Sequence, residues 1–136
     1  RATSESKRPF GPWGDLEALE EKVEEFREVV TVKFSEWSEK LNSWHQRGAR
    51  VVVWGAGAKA VGFFNMLRIG DEVANVVDIN PHKHGMHLPG TAHKIVSPEE
   101  LLETPPDVVL LMNPIYRDEV AQQLKAMNLQ PILVAV

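Results

Sequence analysis

The stretch Val51–Lys59, VVVWGAGAK, constrains the fold of this chain more than any other feature. An apolar run ends abruptly at two glycines one residue apart, and a helix-forming segment follows at once. Gly55 permits a tight turn, and Gly57 lets the backbone approach a ligand because it carries no Cβ. The first turn of the next helix then offers unpaired N–H groups and the positive end of its dipole. The pattern predicts a binding site for a phosphate or pyrophosphate, and it does not indicate a reaction.

The composition narrows the class of protein. A chain of 136 residues has room for one domain with its own core. It contains no cysteine, which excludes disulfides, thiol catalysis and thiolate metal sites. The net charge of −4 argues against a nucleic-acid surface. Since no apolar run matches a membrane span and no signal-peptide pattern opens the chain, we expect a cytoplasmic protein. The chain starts at Arg1 instead of a methionine, so we expect a fragment of a longer protein.

Three regions follow one another along the chain. Residues 1–14 are polar and then rich in proline and glycine, which predicts a flexible tail or linker. Residues 15–48 carry apolar side chains at steps of three and four, which predicts one long amphipathic helix, with Asp15 as N-cap and Gly48 closing the end. We favour a helix lying across its own domain or a missing one. The alternative is a homodimer seam through residues 15–47.

Residues 49–136 alternate strands and helices. The predicted strands are Arg50–Trp54, Val73–Asp78, Lys94–Val96, Asp107–Met112 and Pro131–Val136. The predicted helices are Ala58–Arg68, stopped by Gly70, then Pro98–Glu103 and Tyr116–Asn128, and a long loop covers Ile79–His93. Apolar runs without alternation indicate strands covered on both faces. The sequence therefore predicts a small doubly wound, mainly parallel α/β domain of about five strands, preceded by the long helix.

Three strand ends carry the candidate ligand-binding residues, because ligands of open parallel sheets sit beyond the carboxyl ends of the strands. The spacing of Gly55, Gly57 and Ala60 is the G-x-G-x-x-A form of the dinucleotide fingerprint. Asp78 ends the second strand about twenty residues later, where an acidic residue often binds ribose hydroxyls. The alternative is that the glycines serve only a tight turn and that Asp78 caps a loop.

Polar residues at the other strand end and at the helix start extend this set. Lys59 places a positive charge at the start of the first short helix, which a neighbouring phosphate would explain, although an exposed lysine is the simpler alternative. Asn113 halts the fourth strand and both donates and accepts hydrogen bonds, and Tyr116 offers a ring and a hydroxyl. Asn113 alternatively caps the following helix.

Histidines cluster in the long loop, at His82, His84, His87 and His93. Such a cluster raises a zinc hypothesis, but no cysteine or carboxylate ligand lies between Pro81 and His93, so we expect no metal site. No nucleophile–base pair, paired carboxylate motif or P-loop is present either. We therefore predict no catalytic residue, and a chain equipped to bind.

Several ordered motifs carry a family resemblance. They are Gly55-Ala56-Gly57-Ala58-Lys59, Val77-Asp78-Ile79-Asn80-Pro81 with Lys83-x-Gly85, Leu88-Pro89-Gly90-Thr91, Val96-Ser97-Pro98-Glu99-Glu100-Leu101, and Asn113-Pro114-Ile115-Tyr116-Arg117-Asp118-Glu119-Val120. In this order they resemble the C-terminal domain of sugar C-methyltransferases. Two positions differ from that family's pattern: Ala60 stands where relatives often have glycine, and Met112-Asn113-Pro114 replaces a more frequent tryptophan–asparagine form.

The resemblance implies a role for the domain. In that family, a zinc-binding region and a central S-adenosylmethionine domain precede a Rossmann-like C-terminal domain, which helps to hold the nucleotide-linked sugar. It implies that this chain is the detached, non-catalytic substrate-side domain, with a nucleotide-sugar or another phosphate-bearing small molecule as its ligand. S-adenosylmethionine is implied for the full-length enzyme, and we expect this chain to bind no cofactor. The candidate ligand-binding residues are Gly55, Gly57, Ala58, Lys59, Asp78, Asn80, Asn113 and Tyr116.

Other functions remain open. An NAD(P)-binding module is the first alternative, and Asp78 would favour NAD because a carboxylate repels a 2′-phosphate. A non-catalytic assembly domain that works through the long helix is the second. A self-sufficient methyltransferase is the least favoured, because Trp54 replaces the usual acidic residue before the first glycine and the sheet is short.

Overall fold

The computed structural model describes the backbone of residues 13–136 and the side chains of residues 18–25, 27 and 32–136. The predicted tail at residues 1–14 lies almost wholly outside the described residues, so the predicted division into tail, helix and domain stays a prediction. By its contacts the chain divides into two compact units, Arg1–Trp37 and Ser38–Val136. Within the described residues, no helix combines the length and apolar character that crossing a membrane requires.

The long helix, α1, spans Trp13–Gln46. It begins before Asp15, so the prediction of Asp15 as N-cap is wrong. Asp15 instead lies within the first turn of the helix. The other end is as predicted: Gly48 has a φ of +75°. The N–H of Ala49 donates to the oxygen of Trp44 at 3.0 Å, which completes a Schellman-type end.

The sheet has five strands, all parallel, in the order β3-β2-β1-β4-β5. They are β1 Val51–Trp54, β2 Asn75–Val77, β3 Ile95–Val96, β4 Val108–Leu111 and β5 Ile132–Ala135. Two helices complete the domain, α2 Ala58–Leu67 and α3 Arg117–Ala126, with short 3₁₀ turns at Pro81–Lys83, Pro98–Leu102 and Pro114–Tyr116. This confirms the predicted doubly wound, Rossmann-like α/β fold.

Both faces of the central strands are buried, as their apolar runs predict. One face packs Val52, Trp54, Val77, Val109 and Leu111 of the strands with Leu101 and with Val120 and Leu124 of α3. The residues that alternate with them, Val51, Val53, Val76, Val108 and Leu110, are buried as well. The sheet is therefore covered on both sides, which fixes its carboxyl edge as the place open to a ligand.

The boundaries of α2 and α3 also differ from the sequence prediction. Arg68, and not Gly70, ends α2, since Arg68 adopts the left-handed conformation with a φ of 51°. Gly70 comes later and its N–H donates to Glu72 Oε1 at 2.7 Å. The helix predicted over Tyr116–Asn128 is shorter, because a separate 3₁₀ turn precedes α3.

Candidate functional site

The turn after β1 depends on Gly55. Its φ is +113°, a conformation that side chains rarely adopt, and a Cβ built on it would lie 3.4 Å from the Cβ of Met112. Its N–H donates to the oxygen of Val77 at 2.7 Å, which ties the turn to β2. The fold itself therefore requires glycine at this position.

Gly57 differs, because neither its backbone conformation nor a neighbouring atom among the described residues requires glycine at this position. Its backbone is extended, with φ −94° and ψ −165°, a conformation open to any residue. A Cβ added there would meet no atom within 4 Å. The space that a side chain would occupy is open, which is the arrangement expected where a ligand approaches the backbone.

The start of α2 is uncapped. No described side chain caps this helix, and its first turn carries no acidic residue. The first helical bond runs from the N–H of Val61 to the oxygen of Gly57 at 3.2 Å. The N–H groups of residues 58–60 therefore have no intrahelical partner. Together with the helix dipole, they favour a negatively charged group at this end of α2.

Asp78 is bonded to the backbone through both carboxylate oxygens. Oδ2 accepts the N–H of Ala56 at 2.9 Å, and Oδ1 accepts the N–H of Asn80 at 2.8 Å. The side chain of Asn80 in turn accepts the N–H of His82 at 3.0 Å and caps the turn Pro81–Lys83. Asp78 thus fastens the glycine turn to the loop after β2, as its alternative interpretation expected.

A cleft of about 580 Å³ opens at the carboxyl ends of β1 and β4. The order of strands reverses between these two, which makes this the switch point of the sheet. The volume suits a small-molecule ligand. Of the predicted site residues, the structure brings seven to the wall of the cleft and leaves out Asn80; the seven are Gly55, Gly57, Ala58, Lys59, Asp78, Asn113 and Tyr116.

The polar side chains of the cleft have defined partners. Lys59 Nζ donates to the backbone oxygen of Val136 at 2.9 Å, which holds the ammonium group at the carboxyl edge of the sheet. Asn113 Oδ1 accepts the N–H of Ile115 at 3.2 Å and so caps the turn before α3, while its amide nitrogen remains available to a ligand. Tyr116 is 51% exposed at the mouth.

Sequence reasoning missed two polar residues of the cleft, Glu119 and Gln123. They lie four residues apart on α3, so they share one helix face. Each of them directly precedes a buried residue of α3, Val120 or Leu124. This position next to the buried face of the helix was the signal that would have placed them beside the sheet. Glu119 and Gln123 add acceptor and donor groups to the cleft wall.

Two of the loop histidines have structural partners. His84 Nε2 lies 2.6 Å from the oxygen of Asp78. The ring of His93 is buried, with Nε2 at 2.8 Å from the oxygen of Gly70 and Nδ1 at 2.9 Å from Thr91 Oγ1. Because a carbonyl only accepts, Nε2 of His93 carries a proton. Within the described part of the chain, no group of three or more acidic residues and histidines is placed to hold a metal ion.

These features define an α/β domain of the Rossmann-like class, with one cleft at the sheet's switch point built around a glycine turn and an uncapped helix. A family model described as the C-methyltransferase C-terminal domain matches residues 16–131. The chain belongs to this family. No curated protein matches it.

Solved structures with a similar arrangement include UDP-D-quinovosamine 4-dehydrogenase from Vibrio fischeri, at 21% identity and a TM-score of 0.49, over 65% of this chain and 77% of that one. RSP, a Rex-family repressor, matches at 15% identity and a TM-score of 0.46, over 65% of this chain and 52% of the repressor. RSP in complex with beta-NADH matches at 16% identity and a TM-score of 0.45, over 70% and 58%. The chain thus spans about half the length of the repressor, and likeness at this level says nothing about a ligand.

Proposed function

We propose that this chain is the substrate-side domain of a sugar C-methyltransferase that depends on S-adenosylmethionine, and that it binds a nucleotide-sugar at the switch-point cleft. The diphosphate would lie against the amides that begin α2. The methyl donor would be bound outside this chain, and the domain itself would supply binding and no chemistry.

The observation that carries the proposal is the open space at Gly57 beside the uncapped start of α2. A Cβ at Gly57 would touch nothing, although the neighbouring Gly55 is required by its own backbone. The open space at Gly57 supports close approach of a ligand to the backbone there. Because unpaired N–H groups and the positive end of the helix dipole meet there, a negatively charged phosphate group would bind favourably.

The other side of the cleft fits a hydroxyl-rich sugar. Glu119 accepts hydrogen bonds, and Asn113 and Gln123 donate as well as accept. Their mixed capacity matches sugar hydroxyls, which both donate and accept. The carboxylate of Glu119 would repel a phosphate, which favours the diphosphate at α2 and the sugar toward α3.

Isothermal titration calorimetry with a panel of dTDP-, UDP- and GDP-sugars tests this function. We expect at least one sugar nucleotide to bind, and the free nucleoside to bind more weakly because it lacks the diphosphate. A folded domain that gives no heat with any member of the panel would contradict the proposal.

An NAD(P)-binding module is the second candidate, favoured by the spacing of Gly55, Gly57 and Ala60 and by Asp78 at the end of β2. Fluorescence titration with NADH and NADPH separates it from the first. Binding of NADH, with no binding of any sugar nucleotide in the panel, would support the NAD(P)-binding module. The two backbone bonds already made by Asp78 leave its carboxylate less free for ribose hydroxyls.

The assembly alternative depends on α1, whose described apolar residues include Leu19 and Val23, both partly exposed. Size-exclusion chromatography with light scattering decides it. A stable dimer that is lost with Val30→Glu and Trp37→Glu would support assembly, and a monomer unchanged by either substitution would remove it.

A further inference from the structure

The backbone of Ala56 is held by two side chains from the segment that follows β2. Its N–H donates to Asp78 Oδ2 at 2.9 Å, and its oxygen accepts from Lys83 Nζ at 3.3 Å. Ala56 is buried, and Lys83 is partly buried. The residue between the two glycines is therefore fixed on both of its polar groups.

The bond from Lys83 sets the direction of the next amide. The peptide bond between Ala56 and Gly57 is trans, so its C=O and N–H point in opposite directions. Since the oxygen of Ala56 is directed at Lys83, the N–H of Gly57 points away from Lys83. Gly57 lines the cleft and Lys83 does not.

We propose that Lys83 is a positioning residue for anion binding: its ammonium group orients the Ala56–Gly57 peptide so that the Gly57 amide faces the ligand. The positive charge also lies behind that peptide, where it strengthens the attraction for an anion. The identity of that anion as a diphosphate rests on the proposed function.

A short series of hydrogen bonds determines the position of Lys83. Asp78 Oδ1 accepts the N–H of Asn80, and Asn80 caps the 3₁₀ turn that ends at Lys83. Lys83 then returns to Ala56, whose N–H is held by the other oxygen of Asp78. These hydrogen bonds form a closed loop. They give Asn80 a structural function, although Asn80 does not line the cleft. Asp78 serves in this loop as the anchor of the turn.

Lys83→Met tests the proposal, with Lys94→Met as a control that removes the same charge from an exposed side chain. The probe is inorganic pyrophosphate, followed in proton–nitrogen correlation spectra. In the wild type and in Lys94→Met, we expect the Gly57 amide signal to shift on titration. In Lys83→Met, affinity should fall roughly tenfold, as expected for loss of a hydrogen bond to a charged group. The Gly57 shift should disappear while that of Ala60 persists.

A second measurement needs no ligand. We expect the Ala56 amide to exchange with solvent roughly tenfold faster in Lys83→Met, because the turn opens more often. If the wild type binds pyrophosphate but no sugar nucleotide, the proposed function fails and the role of Lys83 is still tested by both measurements. If it binds neither, the proposed function and the role of Lys83 in anion binding both fail. Unchanged exchange, or an unchanged Gly57 shift with retained affinity, would overturn the inference and leave the proposed function standing. Lys83→Gln, which keeps a donor without the charge, replaces Lys83→Met if that variant does not fold.

Discussion

At the scale of single residues, the two glycines of the turn after β1 differ in what their surroundings require. Gly55 is required by a positive φ and by the nearness of Met112, while Gly57 has an ordinary backbone and open space. The sequence pattern treats them alike, because it records only their spacing. Only the coordinates show that the fold requires glycine at position 55 and leaves open space at position 57.

Gly57→Ala should weaken binding without damaging the fold. We expect the melting temperature to change little, since alanine restricts the unfolded chain but caps a helix less well than glycine. The affinity for the best sugar nucleotide should fall at least about tenfold, equivalent to ~1.4 kcal/mol, because the new methyl group occupies the approach to the amides. Calorimetry and thermal unfolding measure the two effects.

Gly62→Ala is the matched control for that variant. Gly62 lies inside α2, and a Cβ added there also meets nothing within 4 Å. We expect unchanged affinity and a gain in stability of about 0.5–1 kcal/mol, the usual difference between alanine and glycine in a helix. Equal affinity in both variants would show that the space at Gly57 serves no ligand.

At the scale of elements, the three helices end in the same way with different residues. Gly48, Arg68 and Asn128 all have positive φ, at 75°, 51° and 61°. Each lies where the chain turns left-handed after the helix, a position that favours glycine and tolerates asparagine. Arginine is the least suited of the three, so the end of α2 is the strained one.

Arg68→Gly should therefore stabilise the domain. Relief of the left-handed strain exceeds the added freedom of the unfolded chain, and we expect a gain of up to about 1 kcal/mol in the free energy of unfolding. Chemical denaturation measures it, with Asn128→Gly expected to gain less. A loss of stability in Arg68→Gly would mean that the arginine side chain makes a contact worth more than the strain.

At the scale of the whole molecule, the switch-point cleft belongs to one compact unit. All the residues that line it fall between Trp54 and Gln123, inside the unit Ser38–Val136. The last turns of α1 belong to that unit too, and Leu41 there is only 2% exposed. The carboxyl-terminal part of α1 is thus a piece of the domain's core.

A chain shortened to Ser38–Val136 should fold and keep the ligand affinity of the whole chain. The removed part contributes described side chains such as Leu19, which is 41% exposed. In contrast, Leu41→Ala in either chain should cost about 2–5 kcal/mol, as truncations of buried leucines do. Thermal unfolding and calorimetry check both. A shortened chain that is unfolded would contradict the division at residue 38.

The sequence by itself determined the order of strands and helices along the chain, the parallel sheet and the glycine turn at its carboxyl edge. Apolar runs without alternation report burial on both faces, and a glycine pair between strand and helix reports a turn at the carboxyl edge. These signals are local, so residues a few positions apart carry them.

Tertiary structure decided which groups face the cleft. One partner of Asp78 lies 22 positions away and the partner of Lys83 lies 27 positions away, and both partners are groups of Ala56 in the same turn. Glu119 and Gln123 join the cleft only because β4 lies beside β1 and α3 follows it. Such contacts depend on how the chain crosses the sheet, and no short stretch of sequence contains that information.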